Sequence, residues 1–140
     1  MTEEQGVRVE VFFYGLFMDE ALLREKGLNP EGRRLASVED FRLVISERAT
    51  LVPCEGATVY GVLFSLTRVE VEALYSEESV SAYGSEIVFA HTGDGRITQA
   101  LCFNLPARPH PDERNPLYAS RLRELAERIG LPAVYVSSIR

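Results

Sequence analysis

Between Val7 and Phe13 apolar and polar residues alternate in part, with Val7, Val9 and Val11 set against Arg8 and Glu10 before the run Phe12-Phe13. That period of two predicts a strand, ending at Gly15. Asp19 can cap a short helix made of Ala21, Leu22 and Leu23 with Arg24, Glu25 and Lys26, and Gly27 stands where a left-handed residue would stop it. Asn29-Pro30-Glu31-Gly32 reads as a turn. Leu35 to Val38, Phe41 to Ile45 and Ala49 to Val52 have the spacing of short strands, each in a sheet wet on one face. Val59 to Leu66 is long, β-branched, aromatic and uncharged, the composition of a central strand. Thr67 and Glu70 have capping-box spacing, which starts a helix running to about Leu74 or Tyr75. Tyr83 to His91 and Arg96 to Phe103 flank Thr92-Gly93-Asp94-Gly95 and predict a hairpin. Asn104 to Pro116 carries Pro106, Pro109, Pro111 and Pro116 and reads as an extended surface loop of a length suited to a lid. Leu122, Leu125, Ala126 and Ile129 then fall at helical spacing within 117–129, with Gly130 and Pro132 beyond.

Strands with a few interspersed helices, no repeat and no linker indicate one α+β domain over residues 1–140, with a mixed and largely antiparallel sheet. The length of 140 residues and an apolar share of 46% suffice for one real core. A net charge of -6, with Lys and Arg scattered, gives no electrostatic footprint for nucleic acid. No apolar run has the length of a membrane span and the polar opening does not read as a signal peptide, so the expected location is cytoplasmic and no membrane partner is expected. Both cysteines read as reduced structural thiols: Cys102 falls in an apolar strand-like run, whereas Cys54 follows Pro53 in what reads as a loop and is the one with a reactive alternative. His91 and His110 have no metal-ligand spacing, so no metal site is expected.

Two segments are candidates for chemistry. In Tyr14-Gly15-Leu16-Phe17-Met18-Asp19 a strand passes through glycine into a helix start, which leaves backbone N–H groups free to hold a carboxylate or a carbonyl oxygen. Such a turn is also the ordinary form of a tight connection, with Gly15 there for its backbone freedom. In Ser76-Glu77-Glu78-Ser79 an acidic pair lies between a helix and a strand, where one carboxylate can project into a crevice and the other face solvent. Adjacent glutamates are equally the form of a solvated turn. Tyr75, Tyr83 and Val80 could desolvate Glu78 and make it a general base, with Glu77 as its solvent-facing neighbour.

Taken in order, these segments resemble the gamma-glutamylcyclotransferase (AIG2-like) family from about Val9 to Tyr135. Tyr14-Gly15 matches its opening turn, Val59 to Phe64 its middle strand, and Leu74, Glu78 and Tyr83 its Leu-Asp-x-x-Glu-Gly segment. Tyr118 through Gly130-Leu131-Pro132 to Tyr135 matches its tail. Leu16 and Phe17 stand where the family has Ser and then Asn or Leu, Tyr75 replaces its Asp, Ser79 its Gly, and the Glu78 to Tyr83 spacing is short.

The resemblance implies a sheet curled into a small barrel with short helices outside. It also implies a cofactor-free reaction in which the α-amine of a γ-glutamyl compound attacks its own γ-carbonyl, releasing 5-oxoproline and an amine. Glu78 would take the acid/base role, Tyr14, Gly15, Leu16 and Phe17 would cradle the substrate, and Tyr83 and Tyr118 would line the pocket. The partner expected is a small γ-glutamyl molecule, and the oligomeric state is left open, a homodimer among the alternatives. The competing reading is a degenerate member that binds a small metabolite or a protein, with Leu16 and Phe17 filling the crevice.

Overall fold

The computed structural model describes residues 7–106 and 114–140. Five strands, β1 (Arg8–Phe13), β2 (Glu31–Ile45), β3 (Ala49–Thr67), β4 (Gly84–Thr92) and β5 (Ile97–Asn104), close into a barrel in the order β1-β3-β2-β4-β5. All neighbours are antiparallel except the closing pair, where β1 meets β5 in parallel at Val11 and Leu101. Helices α1 (Glu20–Glu25), α2 (Arg68–Leu74), α3 (Pro116–Ile129) and α4 (Ala133–Ser138) complete the domain.

The second half of β3 is central, paired with β1 on one side and β2 on the other. Val59, Val62, Leu63, Phe64 and Leu66 are fully buried, as its composition predicts. Gly61 lies where β1 crosses close by: a Cβ there would sit 2.2 Å from the Phe13 carbonyl oxygen. Ala119, Leu122, Leu125 and Ala126 bury one face of α3, and all join a single hydrophobic cluster with the barrel interior.

Local signals fix several boundaries. Asp19 accepts a hydrogen bond from the Ala21 N–H at 3.0 Å and caps α1, while Gly27 comes after it with φ 87°. Thr67 and Glu70 form a complete capping box at α2, and Gly130 stops α3 with φ 98°.

The expected short strands merge. Leu35 to Val38 and Phe41 to Ile45 are parts of β2, and Ala49 to Val52 and Val59 to Leu66 are parts of β3. The apparent break in β2 is a bulge between Glu39 and Phe41, where Asp40 takes φ 66° and its carboxylate accepts from the Gly56 N–H at 3.0 Å. Cys54 is therefore half-buried in a strand and not in a loop, while Cys102 is buried as expected. The turn expected at 29–32 is cut short, because β2 already begins at Glu31. The proline-rich loop falls largely on residues 107–113, outside those described, and the lid reading lies there too. No helix among the described residues is long and apolar enough to cross a membrane.

Candidate active site

The end of β1 is buried through Phe13 and Tyr14, so the chain leaves the barrel at Gly15 with its direction fixed. Gly15 has φ -110°, ordinary extended backbone, so its role is not the conformational freedom expected of it. It leaves room for Tyr118, since a Cβ would lie 2.8 Å from that hydroxyl and push it aside. A single 3₁₀ turn, Leu16–Met18, intervenes before α1 and bonds the Met18 N–H to the Gly15 carbonyl at 3.0 Å. The Leu16 and Phe17 N–H groups lie at its open end, and the Leu16 N–H points at the Tyr118 hydroxyl oxygen at 3.4 Å.

Beside this turn lies a cavity of ≈ 430 Å³, a size suited to a small ligand. Tyr14, Gly15, Leu16, Phe17, Tyr83 and Tyr118 all line it. Leu16 and Phe17 thus form part of the wall and leave the space open. Phe17 meets Tyr75 edge-on with ring centres 6.0 Å apart, and Tyr75 in turn stacks on Phe103 at 3.8 Å with 13° between planes. That stacked pair also borders a second groove, of ≈ 630 Å³.

The tyrosine hydroxyls act as struts. Tyr14 donates to the Phe103 carbonyl at 2.6 Å, tying the end of β1 to β5, and Tyr83 donates to the Ala49 carbonyl, tying the segment after α2 to β3. Burial pushes Tyr83 up to about 12 and raises Tyr14, Tyr75 and Tyr118 above the ordinary phenol value, so all four hydroxyls stay protonated at neutral pH. The Arg48 guanidinium lies over the Tyr83 ring, 5.8 Å from its centre.

The acidic pair divides in the opposite sense to that expected. Glu77 is extended, φ -64° and ψ 140°, and leads into a 3₁₀ turn, Glu78–Val80. That geometry sends Glu77 to the cavity wall and leaves Glu78 exposed, outside the lining. Both oxygens of Glu77 accept from the Lys26 Nζ at 2.9 Å, and the same Nζ lies 5.9 Å from the centre of the Phe17 ring. The short spacing between Glu78 and Tyr83 was the available signal, since counting from Glu77 lengthens it by one residue. Nothing in the sequence pointed to Lys26, which reaches Glu77 only through the fold. Among the described residues no cluster of His, Cys, Asp and Glu could hold a metal ion.

Residues 11–121 match the family model described as "Gamma-glutamyl cyclotransferase, AIG2-like". No curated protein sequence matches the chain. Among solved structures, one named "Gamma-glutamyl cyclotransferase" superposes with TM-score 0.75 at 18% identity, covering 96% of this chain and 89% of that one. An uncharacterized protein from Homo sapiens gives TM-score 0.75 at 19% identity, with 95% and 88% coverage. YkqA from Bacillus subtilis gives TM-score 0.74 at 23% identity, covering 93% of this chain and 52% of that one. At these identities the structural likenesses establish a shared fold.

Proposed function

Because the chain belongs to the gamma-glutamyl cyclotransferase, AIG2-like family, we propose that its cavity cyclises a γ-glutamyl amine or amide to 5-oxoproline, with Glu77 as the general acid/base. The observation that carries this reading is the convergence of the Tyr14 to Phe17 turn and the Glu77 carboxylate on one open cavity. Glu78, the residue that the order of segments selects, is not proposed for the role, because it is exposed and does not line that cavity.

The α-nitrogen and γ-carbonyl of the substrate belong to one molecule, so the protein has to hold a bent conformer and move protons from the attacking to the leaving nitrogen. Glu77 takes a proton from the α-ammonium, the freed amine attacks the γ-carbon, and a ring C–N bond forms. The bond from that carbon to the leaving nitrogen then breaks as the proton held by Glu77 passes to that nitrogen, and the ring nitrogen gives up its second proton through the freed carboxylate to the departing amine, which leaves as an ammonium. With the Leu16 N–H turned to the Tyr118 hydroxyl, the Phe17 N–H at the open end of the Leu16–Met18 turn is the donor suited to the substrate carboxylate or the oxygen that becomes anionic. Tyr14, Tyr83 and Tyr118 shape the walls and keep their hydroxyls on protein partners. The cycle calls for no cofactor.

The test is 5-oxoproline release from γ-glutamyl dipeptides, glutathione and γ-glutamyl amines, with Glu77→Gln as control. Release that the variant loses supports the enzyme and identifies its leaving group. No release from any compound by the folded protein would reject it in favour of a binding module, with Leu16 and Phe17 adapting the cavity to another small ligand.

A further inference from the structure

The Lys26 ammonium has the two contacts that a bound substrate ammonium would need. It lies 2.9 Å from both Glu77 oxygens and faces the Phe17 ring at 5.9 Å from the centre. A carboxylate together with an aromatic face is a recognised seat for an alkylammonium group. The seat comes from two elements, Phe17 on the turn after β1 and Glu77 on the segment after α2, and its occupant from a third, the end of α1. Lys26 is the C-cap residue of α1, with Gly27 at φ 87° after it, and its ammonium stands at the end of a flexible four-carbon stem. The side chains of Lys26 and Glu77 keep relative exposures of 26% and 40%, so water can take over either partner when the pair parts.

We infer that Lys26 is an intramolecular competitor for the substrate's ammonium group: its Nζ fills the Glu77 and Phe17 seat and must leave before a γ-glutamyl α-ammonium can enter. This rests on the assignment of Glu77 as the acid/base. Two like charges do not share one carboxylate at hydrogen-bond distance without repulsion, so binding carries the cost of displacing Lys26. It also makes Lys26 a specificity-determining residue. A ligand with an ammonium group displaces Lys26 by replacing it, whereas an analogue without one leaves Lys26 on Glu77 and gains nothing from the seat. Phe17, which departs from the family pattern, is what gives the seat its aromatic side.

The test compares wild type with Lys26→Ala in two assays. The first measures binding of n-butylammonium, a copy of the lysine side chain, by chemical-shift titration. The variant is expected to bind about three- to tenfold tighter, the factor set by the fraction of molecules whose seat is open. Adding Glu77→Gln is expected to abolish the gain. The second measures turnover, in which Lys26→Ala is expected to lower KM by a similar factor and leave kcat within about twofold. Equal n-butylammonium affinity in wild type and Lys26→Ala overturns the inference. So does a fall in kcat with unchanged KM and a displaced pH profile, which would make Lys26 a positioning residue for Glu77. If neither protein turns over any substrate, the cyclotransferase reading fails while the n-butylammonium comparison still decides the role of Lys26.

Discussion

Replacing Gly61 by Ala tests whether the site is held by the closeness of β1 to β3. The new Cβ would lie 2.2 Å from the Phe13 carbonyl oxygen and 2.9 Å from the Phe12 ring, whereas ordinary contact begins at 3.4 Å. The first obstacle is backbone, which no rotamer change relieves, and β1 must retreat by more than an ångström. Overpacking of a tight core costs about 1–3 kcal/mol, and an obstruction by backbone belongs at the upper end. For a domain of this size, about 3 kcal/mol lowers Tm by roughly 10 °C. Gly84→Ala is the control, because nothing lies within 4 Å of its Cβ and its φ is not positive. Its stability is expected to stay within about 0.5 kcal/mol of wild type. Thermal and urea unfolding of the three proteins read both effects. Gly61→Ala melting together with Gly84→Ala and wild type would refute the claim that the register of β1 against β3 depends on this glycine. Because Phe13 immediately precedes the Tyr14 turn, any surviving activity of Gly61→Ala is expected to fall by up to about a hundredfold, the scale for an ångström of misplacement.

The same geometry sets two further outcomes. Gly15→Ala places a Cβ 2.8 Å from the Tyr118 hydroxyl, a side-chain end that can give way, so the expected cost is about 1 kcal/mol. Combined with Tyr118→Phe, which removes the opposing oxygen, the double variant should be more stable than the sum of the single effects, and strict additivity in urea unfolding would contradict the contact. In alkali, Tyr83 titrates near pH 12 in the folded protein against an ordinary value of 10.0 because it is buried. A folded-state pKa raised in this way adds stability that is intact below pH 10 and is lost as pH rises from 10 towards 12. Unfolding should therefore accompany tyrosinate absorbance across that window, and a Tm unchanged through pH 12 would contradict the burial of these phenols.

Much of the fold was legible because its signals are local. Gly27, Gly130 and the Thr67 and Glu70 box each act within one helical turn and mark the same boundaries in sequence and structure. The strands were harder to delimit, since Asp40 at a bulge and Pro53 in β3 look like breaks. Pro53 is tolerated because β3 has a strand on one side only at that point, where Pro53 faces Phe41 on β2, while β1 pairs further along from Val62. The Tyr14 to Phe17 turn and the pocket tyrosines were legible as a group. Which member of the acidic pair faces the cavity was not, since one residue of backbone direction at Glu77 reverses the two side chains. Lys26 was beyond reach for another reason: its partner lies 51 residues away.

The most direct test of the proposed chemistry is a comparison of 5-oxoproline formation by Glu77→Gln and Glu78→Gln with the best γ-glutamyl substrate of the wild type. Removing a general acid/base costs about 10²–10⁴ in kcat. That loss is predicted for Glu77→Gln, with Glu78→Gln within about threefold of wild type and both variants folded. Loss of turnover in Glu78→Gln with Glu77→Gln still active would contradict the assignment of Glu77.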